Sequence, residues 1–123
     1  MSIPSHALQI EFYTADTGNQ PAQDFMRTLP PKARAKLAWT LAAIESLSSR
    51  GHVPATYFKK LTATQDIWEV RASAGHLEPR LLGFLDGPLL MLTHGFLKKS
   101  SKTPPHEIEV AEYHRKRYFR RKA

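Results

Sequence analysis

The sequence predicts an α+β fold. Two helices near the N-terminus pack on a mostly antiparallel sheet of about four to five strands, and a C-terminal helix follows, in the order β-α-α-β-β-β-α. Three observations carry this prediction. Ala33, Leu37, Leu41, Ile44 and Leu47 recur every three or four residues, the stripe of an amphipathic helix. Residues 57–94 hold strand-length alternating or apolar segments separated by Gly- and Pro-containing turns. From residue 103 a Thr-Pro start, early glutamates and late arginines give the polarity of a helix.

Taken in order, residues 7–13 alternate apolar and polar side chains, as a half-buried strand does. Asp16-Thr17-Gly18-Asn19 is a turn cluster, and Pro21 suits the first turn of a short helix carrying Phe25 and Met26. Pro30-Pro31 opens the longer helix; Lys32, Arg34 and Lys36 lie off its apolar stripe, and Gly51 stops it. The two helices form a hairpin able to cover one sheet face. Tyr57-Phe58-Lys59-Lys60-Leu61 is a short candidate strand. In Ile67-Trp68-Glu69-Val70-Arg71, residues 67, 69 and 71 share one face while Trp68 and Val70 share the other. Residues 80–85 precede the hairpin signal Asp86-Gly87. Residues 88–94 are apolar almost throughout, the pattern of a central strand covered on both faces, with Pro88 at its start. Thr103 is expected to cap the last helix, with Pro104 at its first position. Ile108, Ala111 and Tyr118 fall on one stripe, which suits Tyr118 to packing the helix on the sheet.

With 123 residues and a 41% hydrophobic, 24% charged composition, the chain is expected to form one domain spanning residues 1–123. It has no cysteine, which excludes disulfides, thiolate nucleophiles and thiolate metal sites. Residues 1–6 show no secretory signal, and no apolar run approaches the roughly 18 residues of a bilayer span. A cytoplasmic protein with no membrane partner is expected. The net charge of +7 and pI of about 9.9 point to nucleic acid, an anionic membrane surface or an acidic protein partner. Nine of the 18 Lys and Arg residues follow His94, against Glu107, Glu109 and Glu112.

Arg71 and Arg80 lie on strands expected to pair through a turn at Gly75, where two guanidinium groups could grip one phosphate. On these two residues alone a solvated sheet edge is the favoured reading. Lys98, Lys99 and Lys102 follow the apolar strand, which is expected to end at His94. His94 is the candidate for proton transfer, with its pKa expected to be lowered by the neighbouring cations; a packed core histidine is the competing reading. The six histidines contain no i,i+4 pair, so neither a metal site nor a cofactor is expected. No Gly-x-Ser-x-Gly elbow or phosphate-binding glycine loop is present.

Lys59-Lys60-Leu61, Ile67-Trp68-Glu69-Val70-Arg71, Pro79-Arg80 and above all His94-Gly95-Phe96-Leu97-Lys98-Lys99-Ser100-Ser101-Lys102-Thr103-Pro104 followed by Glu107-Ile108 resemble the phage-derived, HigB-like branch of the RelE/ParE toxin superfamily. The resemblance covers about residues 30 to 113. It implies a RelE-like fold and the toxin of a type II toxin–antitoxin system, silenced by a helix-turn-helix, HigA-like antitoxin. It implies further a metal-independent mRNA endoribonuclease acting on the ribosome through 2′-hydroxyl attack that leaves a 2′,3′-cyclic phosphate. By the same resemblance Arg71 and Arg80 would hold the scissile phosphate, His94 would act as acid or base, and Lys98 and Lys99 would bind backbone or assist proton transfer. Lys59, Lys60 and Lys102 would bind nucleic-acid phosphates. Two other readings stay open: a ParE-like toxin poisoning DNA gyrase, and a non-catalytic phage RNA-binding or regulatory domain.

Overall fold

The computed structural model describes residues 7–123; the readings of residues 1–6 and of His6 lie outside them. The elements are β1 (Gln9–Phe12), α1 (Pro21–Thr28), α2 (Pro31–Ser48), β2 (Phe58–Lys60), β3 (Ile67–Arg71), β4 (Pro79–Asp86), β5 (Leu89–Leu97) and α3 (Pro105–Lys122). They form an α+β fold with a five-stranded sheet ordered β1-β5-β4-β3-β2. β1 runs parallel to β5 and every other neighbour is antiparallel. Four strands, not the three of the expected order, separate α2 from α3, because Phe58–Lys60 pairs with β3 as a strand of its own.

Both sheet faces are covered. On one, Leu37 and Ile44 of α2 pack with Trp68, Val70, Leu81, Leu90 and Leu92. On the other, Ala111 of α3 joins Tyr13, Ile67, Leu82, Phe84, Met91 and Phe96. β4 and β5 are therefore buried on both sides, which is why they read as continuous apolar runs. Tyr118 packs edge-on to Phe84, with ring centroids 5.1 Å apart, and donates its hydroxyl to Asp86 at 2.7 Å. Burial and that hydrogen bond push its pKa up to about 12, as suits a packing residue.

One irregularity sets the face of everything after Leu92. The ladder pairs Gly83 with Leu92 but Leu82 with His94, so Thr93 is an extra residue in β5. The bulge turns His94 and Phe96 toward α3 and Gly95 toward the helical hairpin. A Cβ on Gly95 would lie 2.7 Å from Leu81 Cδ2 and would collide with the Phe25 ring. A Cβ on Gly83 would lie 2.5 Å from the Met91 carbonyl oxygen. Both glycines are demanded by close approach rather than by backbone angle. β5 does not stop at His94 as expected but runs to Leu97, since the ladder with β4 resumes past the bulge.

Candidate nucleic-acid interface

Register brings the two arginines together. Arg71 lies directly opposite Arg80, which in turn faces Phe96, so these three residues form one row across the sheet. The next row is Glu69, Leu82 and His94. Two guanidinium groups side by side repel unless a carboxylate lies between them, and Glu69 supplies it from a fully buried position. Its Oε1 accepts from Arg71 Nε at 2.9 Å and lies 3.9 Å from Arg80 Nε, while its Oε2 accepts from the Thr103 hydroxyl.

That last bond corrects the expected cap of α3. Thr103 makes no cap; Pro104 holds the N-cap position and Pro105 begins the helix. Its hydroxyl instead ties the β5–α3 loop to β3. The loop is fixed a second time by the Lys98 amide, which donates to the Glu78 carbonyl at 2.9 Å. Lys98 and Lys102 are thereby brought to Arg71. The three cations, with Thr62, Ser101 and Thr103, line a groove of about 300 Å³ on the α3 side of the sheet. Lys98 and Lys99 also flank an adjoining surface hollow with His76 and Glu78.

Arg80 is less free. Its Nη1 donates to the Ala72 and Pro79 carbonyls at 2.9 and 3.1 Å, and its Nη2 donates to Glu78 at 2.8 Å. Of the five guanidinium N–H donors this leaves Nε–H and one on Nη2 unpaired. Nε has no hydrogen-bond partner although it is buried. With Lys36 and Arg71, Arg80 lines a second cleft on the α2 side.

Lys59 and Lys60 do not act as a pair. Lys59 is exposed opposite Glu69, on the face of Arg71. Lys60 is opposite Trp68 on the other face, 3.7 Å from Asp66. Strand alternation forces this split.

His94 is not at the mouth of the groove. It is 9% exposed between β5 and α3, with Nδ1 3.0 Å from Thr93 Oγ1 and Nε2 3.0 Å from Glu107 Oε1. Two strand spacings, about 10 Å, separate its strand from that of Arg71. Its pKa is lowered, as expected, but chiefly by burial, with Glu107 opposing and His106 adding to the shift; the lysine cluster is not the cause. The neutral tautomer carrying its proton on Nε2 satisfies Glu107.

Glu69, Glu78, Thr103 and Glu107 were not singled out as functional from sequence. The one available signal was the placement of Glu69 two residues before Arg71, on the same strand face.

The fold has a helix layer on each side of the sheet and cations gathered where β3, β4 and the β5–α3 loop meet, an arrangement compatible with the RelE/ParE-like toxin class. The chain belongs to the Gp49-like family of phage-derived proteins within that class, whose profile matches residues 24–116. The match runs from α1 into α3 and includes every cation discussed above. No curated protein matches the chain significantly.

Proposed function

We propose that this chain, acting as one domain, is a HigB-like toxin of a type II toxin–antitoxin pair and a metal-independent mRNA endoribonuclease that works on the ribosome in the cytoplasm. The observation that carries the reading is the convergence of Arg71, Lys98 and Lys102 on one groove, in a member of a RelE/ParE-like family. In the reaction the ribose 2′-oxygen attacks the adjacent phosphorus and the bond to the 5′-oxygen breaks. The products are a 2′,3′-cyclic phosphate and a 5′-hydroxyl; the 2′-hydroxyl proton leaves to a base and the departing oxygen gains one.

Charge builds on the phosphate oxygens, where fixed cations are most effective. Arg71, aimed by Glu69, takes those oxygens, and Arg80, opposite it in the sheet, adds its positive charge from the neighbouring strand. Lys98 serves proton transfer from the groove wall, and Lys59, Lys99 and Lys102 hold flanking phosphates. His94, between Thr93 and Glu107, holds β5 against α3 and acts as a positioning residue. Lys60 on the opposite face is left outside this set. A HigA-like helix-turn-helix antitoxin silences the toxin.

The test is inducible expression of single alanine variants at Arg71, Arg80 and Lys98, with folding verified by circular dichroism. Loss of toxicity in the Arg71 and Lys98 variants is expected. Full toxicity in all three would contradict the site.

A further inference from the structure

The second cleft, on the α2 side, has the composition of a nucleotide site. It measures about 410 Å³, within the size range of small-ligand sites, and its lining includes Lys36, Arg71, Arg80, Tyr57 and Ser73 but no Asp or Glu. Trp39, 51% exposed on α2, does not line the cleft itself but meets two of the residues that do. The Trp39 ring meets Tyr57 edge-on, with centroids 5.6 Å apart and planes at 84°. Lys36 Nζ lies 4.7 Å from the centroid of the same ring. An exposed tryptophan beside three cations and several hydroxyls is the combination that binds single-stranded nucleic acid: bases stack on the ring and cations take the backbone. Arg71 lines both clefts, so a strand leaving the groove on the α3 side reaches the α2 side without crossing an acidic surface.

We infer that this cleft is a subsite for single-stranded RNA, in which one base stacks on Trp39 while the adjoining phosphates meet Lys36 and Arg71. The inference rests on the ribonuclease reading and extends it, since it places a nucleotide next to the scissile one rather than at it. Lys36 Nζ covers one face of the ring in the free protein, so a base stacking on that face displaces the ammonium toward the adjoining phosphate. The absence of lining carboxylates and the continuity with the groove favour RNA over a protein segment.

The test uses the full chain and a short 2′-O-methyl oligoribonucleotide, which binds but lacks the attacking hydroxyl. The molecule has two tryptophans, and Trp68 is only 2% exposed, so quenching of exposed tryptophan emission reports Trp39. Binding is expected to quench that emission. Trp39→Leu should abolish the quench and weaken binding by about tenfold, the loss typical of one stacked base. Trp39→Phe, which keeps an aromatic face and guards against a folding defect, should recover part of the affinity. Wild-type binding with no quench, or equal affinity in Trp39→Leu, overturns the subsite and leaves the ribonuclease reading standing. Loss of antitoxin binding in Trp39→Leu with RNA affinity unchanged also overturns it, in favour of a protein-docking role. No RNA binding by the wild-type chain would overturn the subsite, whereas the ribonuclease reading is overturned only if mRNA on the ribosome stays uncut.

Discussion

Glu69 decides how the candidate site works. It is the buried carboxylate that lets Arg71 and Arg80 stand opposite each other, and it also holds Thr103. Removing one partner of a buried ionic cluster leaves charge uncompensated, so Glu69→Gln should cost roughly 3 kcal/mol in urea unfolding. It should also lower RNA cleavage by releasing Arg71. Arg71→Lys should leave stability nearly unchanged and still fail to restore cleavage in a purified assay, because an ammonium cannot offer two parallel N–H donors. His94 and His114 are both held below the ordinary histidine pKa of 6.5, chiefly by burial. The unfolded chain therefore takes up protons near pH 6.5 that the folded chain refuses. Stability is full above that pH and falls as the pH drops toward the folded values. The urea midpoint should decline from about pH 7.5 to about 5.5, and less steeply in His94→Gln. A midpoint that rises over this window would contradict the burial of a neutral His94.

At the scale of elements, alternation and apolar runs made β1 and β3 to β5 legible, and the stripe from Ala33 to Leu47 made α2 legible. The pairing of the Arg71 and Arg80 strands through Gly75 was also readable, but not the register that sets the two arginines opposite each other, because Gly75 and Pro79 left the start of β4 open. The bulge at Thr93 was not. An extra residue shifts the ladder without altering composition, so nothing local marks it, yet it decides that His94 rather than Thr93 turns toward α3. The role of Thr103 was hidden for a similar reason: the Thr-Pro pattern signals a cap, and the competing acceptor lies 34 residues away in sequence. Gly95→Ala tests the bulge directly. Its Cβ would collide with Phe25 and Leu81, and the overpacking should cost about 1–3 kcal/mol in thermal unfolding. A neutral result would mean that Gly95 does not face the helical hairpin.

Across the whole molecule, the +7 charge is divided between structure and surface. Arg117 and Arg121 pair with Asp16, and Lys122 pairs with Asp86, so part of the basic C-terminal segment fastens α3 to the body. Lys99 and Lys102 are exposed and meet no carboxylate within ion-pair distance among the described residues. Binding of an RNA oligomer should therefore weaken linearly with the logarithm of salt concentration. Lys102→Ala should reduce that slope by about 1 while affecting all sequences alike. Total charge points to a polyanion, but composition could not tell which cations are already engaged within the fold.

The direct measurement is a map of cellular mRNA 5′ ends after induction of the wild-type chain and of Arg71→Ala. New 5′-hydroxyl ends within coding regions, present with the wild type and absent with Arg71→Ala, are the predicted result. Growth arrest with intact transcripts and trapped DNA breaks would contradict the ribonuclease reading and identify a gyrase poison instead.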